Sequence, residues 1–243
     1  VKQLAAAESI PPEGIDILLK AAKSDGSEYG FETIAESVVT LGKTDAKDVV
    51  KVSLSALVKL QDNVSQATMQ VAEANKIEGE AERKSAGKYA RQAVTDAKKL
   101  LETASQGFLK SEKLENHHLA IEHIAAESAD TAEGLWAYAS LLELASRKSG
   151  SPESRELSQK AIDTAWQIPK QKAVLISAAG TTKNRSLDDR ILIALGSPDP
   201  VIKAAAKSAA KALKLKPRPE DKTPKISTLD PAKALAAVIK HKG

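Results

Sequence analysis

Apolar residues recur along nearly the whole chain at three- and four-residue intervals, the spacing that gathers them on one side of an α-helix. No convincing run alternates apolar and polar positions over the length of a strand. The pattern predicts an all-α protein. Ile15, Leu18, Leu19 and Ala22 make one stripe behind Pro11 and Pro12, where proline suits a first helical turn. Ser24–Ser27 breaks it. Phe31, Ile34, Ala35, Val38 and Leu41 line a second helix ending at Gly42, and Thr44–Asp45 offers a cap for a third through Leu60. From Val64 to Ser105 the pattern is Ala-rich and charged, either two helices or one long helix with a defect at Gly79 or Gly87.

Further on, Ser111, Leu114, His118, Ile121 and Ala125 mark the next helix, and Asp130 is placed to cap one containing Leu135, Trp136, Leu141, Leu142 and Leu144. Ser151–Glu153 is a strong start signal for a helix to Ile168, which Pro169 closes. A shorter helix covers Ala173–Ala179, a loop covers Gly180–Arg185, and Leu187–Leu195 with Val201–Leu215 form a final antiparallel pair. Lys216–Thr228 holds three prolines and reads as an extended linker, and Asp230–Pro231 starts a last amphipathic helix. The expected organisation is a helical domain over 1–215, a linker over 216–228 and a C-terminal helix over 229–243. Val1 in place of Met, and Gly243 directly behind a helical pattern, add the expectation of a piece of a longer chain.

One unit recurs. At Leu41–Leu60 and again at Leu195–Leu213 a helix ends in Leu-Gly, a short turn carries Asp, and a Val-Val or Val-Ile pair followed by Lys opens an Ala-rich helix. Recurrence of this kind marks stacked helical repeats. The units resemble HEAT-like repeats, which implies a right-handed α-solenoid of antiparallel helix pairs. Ser197–Leu213, the Pro-rich stretch and Ala232–Gly243 together look like the middle region of planctomycete-type membrane-bound, haem-binding dehydrogenases. In that family a β-propeller precedes the helical repeats and a c-type cytochrome follows them. The resemblance implies a spacer or docking module, set in the periplasm or cell envelope, with flanking protein domains as partners.

Composition narrows the chemistry. Aromatics are only 3%, so small side chains must build close helix–helix contacts. The balance of 36 Lys+Arg against 32 Asp+Glu is too even to argue for nucleic acid by itself. With no cysteine, disulfides, thiolate metal sites, Cys nucleophiles and haem attachment within this sequence are excluded. There is no Gly-rich phosphate loop and no nucleophile elbow. No cofactor is expected in this segment.

Three constellations remain. Lys203, Lys207, Lys211 and Lys214 recur on one helix face, a basic stripe suited to an acidic protein partner. No aromatics interleave with them, which disfavours nucleic acid, and any solvated helix face would look similar. Glu115, His118 and Glu122, with His117 and His123 nearby, share a helix face that suits a divalent ion, a pH-sensitive patch or ordinary surface positions. Asp163 lies one turn from Trp166, with Trp136 and Arg155 on neighbouring segments. That grouping is similar to the alkylpurine DNA glycosylases built on HEAT-like repeats, where a carboxylate works against damaged DNA, but the two Trp also suit the role of large plugs in an Ala-rich core. The reading that absorbs most of the sequence is a non-catalytic scaffold and protein-interaction module. The DNA-binding glycosylase is the alternative.

Overall fold

The computed structural model describes residues 1–5, 7, 10–46 and 48–216; the expected C-terminal helix and all but the first residue of the expected linker lie outside them. The described residues form helices and connecting turns, with no strand. After a single turn, α1 (Lys2–Ala5), come α2 (Pro12–Lys23), α3 (Gly30–Leu41), α4 (Val49–Ala74) and α5 (Glu80–Leu109). A 3-10 segment, Glu112–His117, leads into α6 (His118–Glu127), α7 (Ala132–Ser146), α8 (Pro152–Gln167), α9 (Pro169–Thr182), α10 (Asp188–Ala194) and α11 (Pro200–Leu213).

The helices pack in two rows. Each of α3, α5, α7 and α9 touches the next odd-numbered helix, and α2, α4, α6 and α8 are linked in the same way. Successive helices then tie one row to the other. Between the rows runs a continuous core whose largest fully buried side chains are Trp136, Tyr138 and Phe108. Most of the remainder is Leu, Ile, Val and Ala. Small residues let backbones approach closely: a Cβ on Gly134 would collide with the Ser128 carbonyl oxygen.

Several boundaries follow local chemistry. Ser151 Oγ accepts from the Ser154 amide at 3.1 Å, with Pro152 in the first turn behind it. Asp199 Oδ1 accepts from the amides of Val201 and Ile202 at 2.8 and 3.2 Å. Such caps satisfy amides that the helix itself leaves unpaired. The end of α2 is closed from another helix, since Lys59 Nζ on α4 donates to the carbonyls of Lys23 and Ser24. The partial burial that this requires lowers the Lys59 pKa.

Other boundaries depart from the pattern. The third predicted helix does not stop at Leu60 but continues to Ala74, because Gln61–Asn63 costs only tenths of a kcal/mol per residue in helix propensity. Gly79 then begins α5, whereas Gly87 sits inside it, buried. Thr131, not Asp130, caps α7, its Oγ1 accepting from the Gly134 amide at 3.2 Å. Asp45 caps nothing. It binds Lys113 Nζ and Asn116 Nδ2, each at 2.7 Å, and these bonds hold its carboxyl below the usual range. Pro169 closes one helix by opening the next, and α9 runs through Gly180 to Thr182 where a loop was expected.

The two Leu-Gly units also occupy opposite phases. The first runs from α3 in the odd row to α4 in the even row, and the second from α10 to α11, even to odd. Their shared grammar records how helices stop and start.

Candidate functional site

Three helices of the odd row enclose a groove of about 230 Å³. Its apolar surface comes from Leu101 and Leu109 on α5 and from Trp136 and Ala139 on α7. Trp136 is 2% exposed and donates its indole N–H to Gln61 Oε1 at 3.1 Å, so it offers the groove a ring surface and no donor. Around this floor stand Lys98, Glu102 and Lys110 from the α5 side, Glu143 from α7, and Thr181, Thr182 and Lys183 from the end of α9.

Lys110 and Lys183 are the residues that follow the last turns of α5 and α9, so two helix C-termini meet here. Lys183 adopts a left-handed conformation (φ 55°) with its amide bonded to the Ala179 carbonyl. Asn184 anchors the turn by donating from Nδ2 to Leu142 O and Ser146 Oγ on α7. Sequence reasoning missed this groove, since its walls come from three segments with no shared motif. Lysines at the ends of two helices were the available signal, and they are common enough to pass unnoticed.

The lysine stripe is where the pattern put it. Lys203, Lys207 and Lys211 are exposed on α11 and Lys214 is exposed just past its end, in a left-handed conformation, and their ammonium groups make no ion pair with a described residue. Ala209 faces α9 through Gly180. At about 100° per residue, Lys207 points roughly opposite to Ala209. The stripe thus faces away from α9, off the end of the odd row.

The Asp163 constellation is only partly assembled. Arg190 of α10 donates from Nη2 to Asp163 Oδ1 at 2.6 Å, and Gln159 donates to the same oxygen at 3.1 Å. Arg190 and Lys172 both lie over the Trp166 ring, 5.5 and 5.3 Å from its centroid. Trp136, by contrast, is bonded to α4 and buried, and no bond joins it or Arg155 to Asp163 among the described residues. The chemistry available here is an ion pair capped by an aromatic face.

The histidine group is dispersed. Glu115 lies in the 3-10 segment and accepts from the Ser151 amide at 3.2 Å. His117 bonds the Thr44 carbonyl at 3.2 Å, and His123 pairs with Glu127 at 3.1 Å. His118 is buried, its ring nitrogens lacking hydrogen-bond partners among the described residues, with Glu122 Oε2 3.9 Å from Nδ1. Among the described residues no cluster of three or more His, Asp or Glu is arranged to hold a metal ion. No helix of the described residues is long and apolar enough to cross a membrane.

No protein-family model, curated protein or solved structure matches this chain.

Proposed function

We propose that this chain is a non-catalytic helical-repeat scaffold, a HEAT-like α-solenoid that presents surfaces to protein domains. The observation that supports this reading is the two-row packing, in which α3, α5, α7, α9 and α11 rest on one another in turn, as do α2, α4, α6 and α8, with most successive helices joining the rows. Stacking of that kind makes a stiff, quasi-one-dimensional body whose faces and ends are available for docking. The end face formed by Lys203, Lys207, Lys211 and Lys214 suits an acidic partner domain, because none of the four spends its charge within the described residues. The setting we favour is a larger haem-linked dehydrogenase of the cell envelope, where the scaffold spaces the catalytic and electron-transfer parts. The likeness of the Ser197–Leu213 stretch supports that setting.

Intact mass and the visible spectrum of the native protein test the context. A mass far above 25.7 kDa with a haem Soret band is expected, and a colourless species of 25.7 kDa overturns the redox setting. Pull-down with the flanking domains tests the scaffold role separately. The triple variant Lys203→Glu, Lys207→Glu, Lys211→Glu should abolish capture at low salt while leaving thermal unfolding unchanged. Capture that survives the triple reversal removes the stripe from the interface.

A further inference from the structure

The groove between α5, α7 and α9 carries more charge than a structural joint needs. Five ionic side chains border it, Lys98, Glu102, Lys110, Glu143 and Lys183, and none of them forms an ion pair or hydrogen bond with a described residue. Some surface charges elsewhere are paired, as in Lys84 with Glu80 at 2.8 Å and Lys113 with Asp45 at 2.7 Å, and others, the lysines of α11 among them, are not. Here three cations and two anions share one concavity and stay apart.

The backbone adds polarity of its own. The C-terminal end of α9 carries a partial negative charge toward the groove, favouring a cation there, whereas that of α5 is closed by Arg147, which donates to Leu109 O and Ser111 O. The three ammonium groups favour an anion at the same place. Between them lies the apolar floor of Leu101, Leu109 and Trp136. Cation site, anion site and apolar floor within about 230 Å³ describe a small zwitterion with an apolar side chain. That volume is below the roughly 300 Å³ at which pockets for drug-sized ligands begin.

We propose that this groove binds a free α-amino acid with a large apolar side chain. Its carboxylate sits between Lys110 and Lys183, its ammonium lies against Glu102 and Glu143, and its side chain covers Leu101 and Leu109. The left-handed turn at Lys183, braced on α7 by Asn184, fixes that lysine at the rim. The same left-handed stop ends α11 at Lys214, so at Lys183 it serves first to end α9.

Isothermal titration of the 243-residue protein with three probes tests the proposal. The probes are L-phenylalanine, 3-phenylpropanoate, which lacks the ammonium, and 2-phenylethylamine, which lacks the carboxylate. Phenylalanine should bind about tenfold or more tightly than either analogue, the change expected when a charged hydrogen bond is lost. Lys183→Gly, which keeps the backbone conformation, and Glu143→Gln should each weaken phenylalanine by a similar factor. Thermal unfolding of Glu143→Gln should match the parent, and Lys183→Gly, with glycine in a left-handed position, should unfold no lower. No binding of phenylalanine overturns the proposal, and so does equal binding of phenylpropanoate. Binding that ignores both substitutions places the ligand elsewhere and overturns it as well.

Discussion

Gly180 on α9 lies against the backbone of α11 at Ala209: a Cβ on Gly180 would come within 2.8 Å of Ala209 Cα and 3.0 Å of its Cβ. Two helices of the odd row are thus joined by backbone proximity. Gly180→Ala brings a helix-propensity gain of about 1 kcal/mol, but the obstacle is main chain, which cannot rotate away. Overpacking of this kind costs about 1–3 kcal/mol, so the net change is a loss. Gly180→Val should lose more. Adding Ala209→Gly to Gly180→Ala should recover only part, because it removes the opposing methyl group and leaves the α11 main chain in the way. Urea unfolding of the four proteins in that cycle measures the coupling.

That glycine also shows where the sequence stops speaking. Gly180 followed by two threonines carries every local sign of a loop, yet it is buried in the last turns of α9. The reason for it lies on α11, about thirty residues away, and local propensity does not reach that far. Helical class and the helix start at Ser151 were legible because each depends on residues within one turn of itself. Thr44–Asp45 looked equally local but failed, since Lys113 and Asn116 compete for Asp45 from another segment. The lysine stripe was legible as exposed, for a Lys face opposite an Ala and Ile face has one orientation that buries apolar surface. Its position at the end of a row was not. The groove was invisible for the same cause: Lys98, Glu143 and Lys183 meet only after three helices have packed.

Arg147 offers a second test of the long-range ties. From the end of α7 it donates to Ser111 O at 2.8 Å and to Leu109 O at 2.6 Å, closing the C-terminus of α5. Hydrogen bonds from a charged donor contribute about 1.5–3 kcal/mol, so Arg147→Ala should cost about 2 kcal/mol after partial rehydration of the two carbonyls. Arg147→Lys should recover little, because an ammonium does not present the planar fork that spans both oxygens. Hydrogen exchange should quicken at the amides of 110–114 in both variants while α2 stays protected.

The Asp163–Arg190 pair should respond unequally to its two deletions. Both side chains are substantially exposed, so the ion pair itself is worth less than about 1 kcal/mol and is screened by salt. Asp163→Asn is therefore expected to leave stability nearly unchanged. Arg190→Ala removes the pair and also the contact over Trp166, worth about 0.5–1 kcal/mol at such a site. It should be the more destabilising of the two, and only part of its effect should vanish in concentrated salt. Tryptophan emission should shift in Arg190→Ala and hardly at all in Asp163→Asn.

Tyr138 should make part of the fold's stability depend on alkaline pH. It is among the largest fully buried side chains, and burial pushes its phenol up to about 12 from an ordinary 10.0. Between those values the unfolded chain has released the proton while the folded chain still holds it. The native state then binds more protons than the unfolded state, so stability falls as pH rises. The contribution is whole below pH 10 and is lost on the way to pH 12. At about 1.4 kcal/mol per unit the loss amounts to roughly 2–3 kcal/mol. Tyr138→Phe removes the titrating group and keeps the ring in the core. Its urea midpoint should fall less between pH 10 and 12 than that of the parent. Parallel curves for the two proteins would show that the phenol reaches water in the native state.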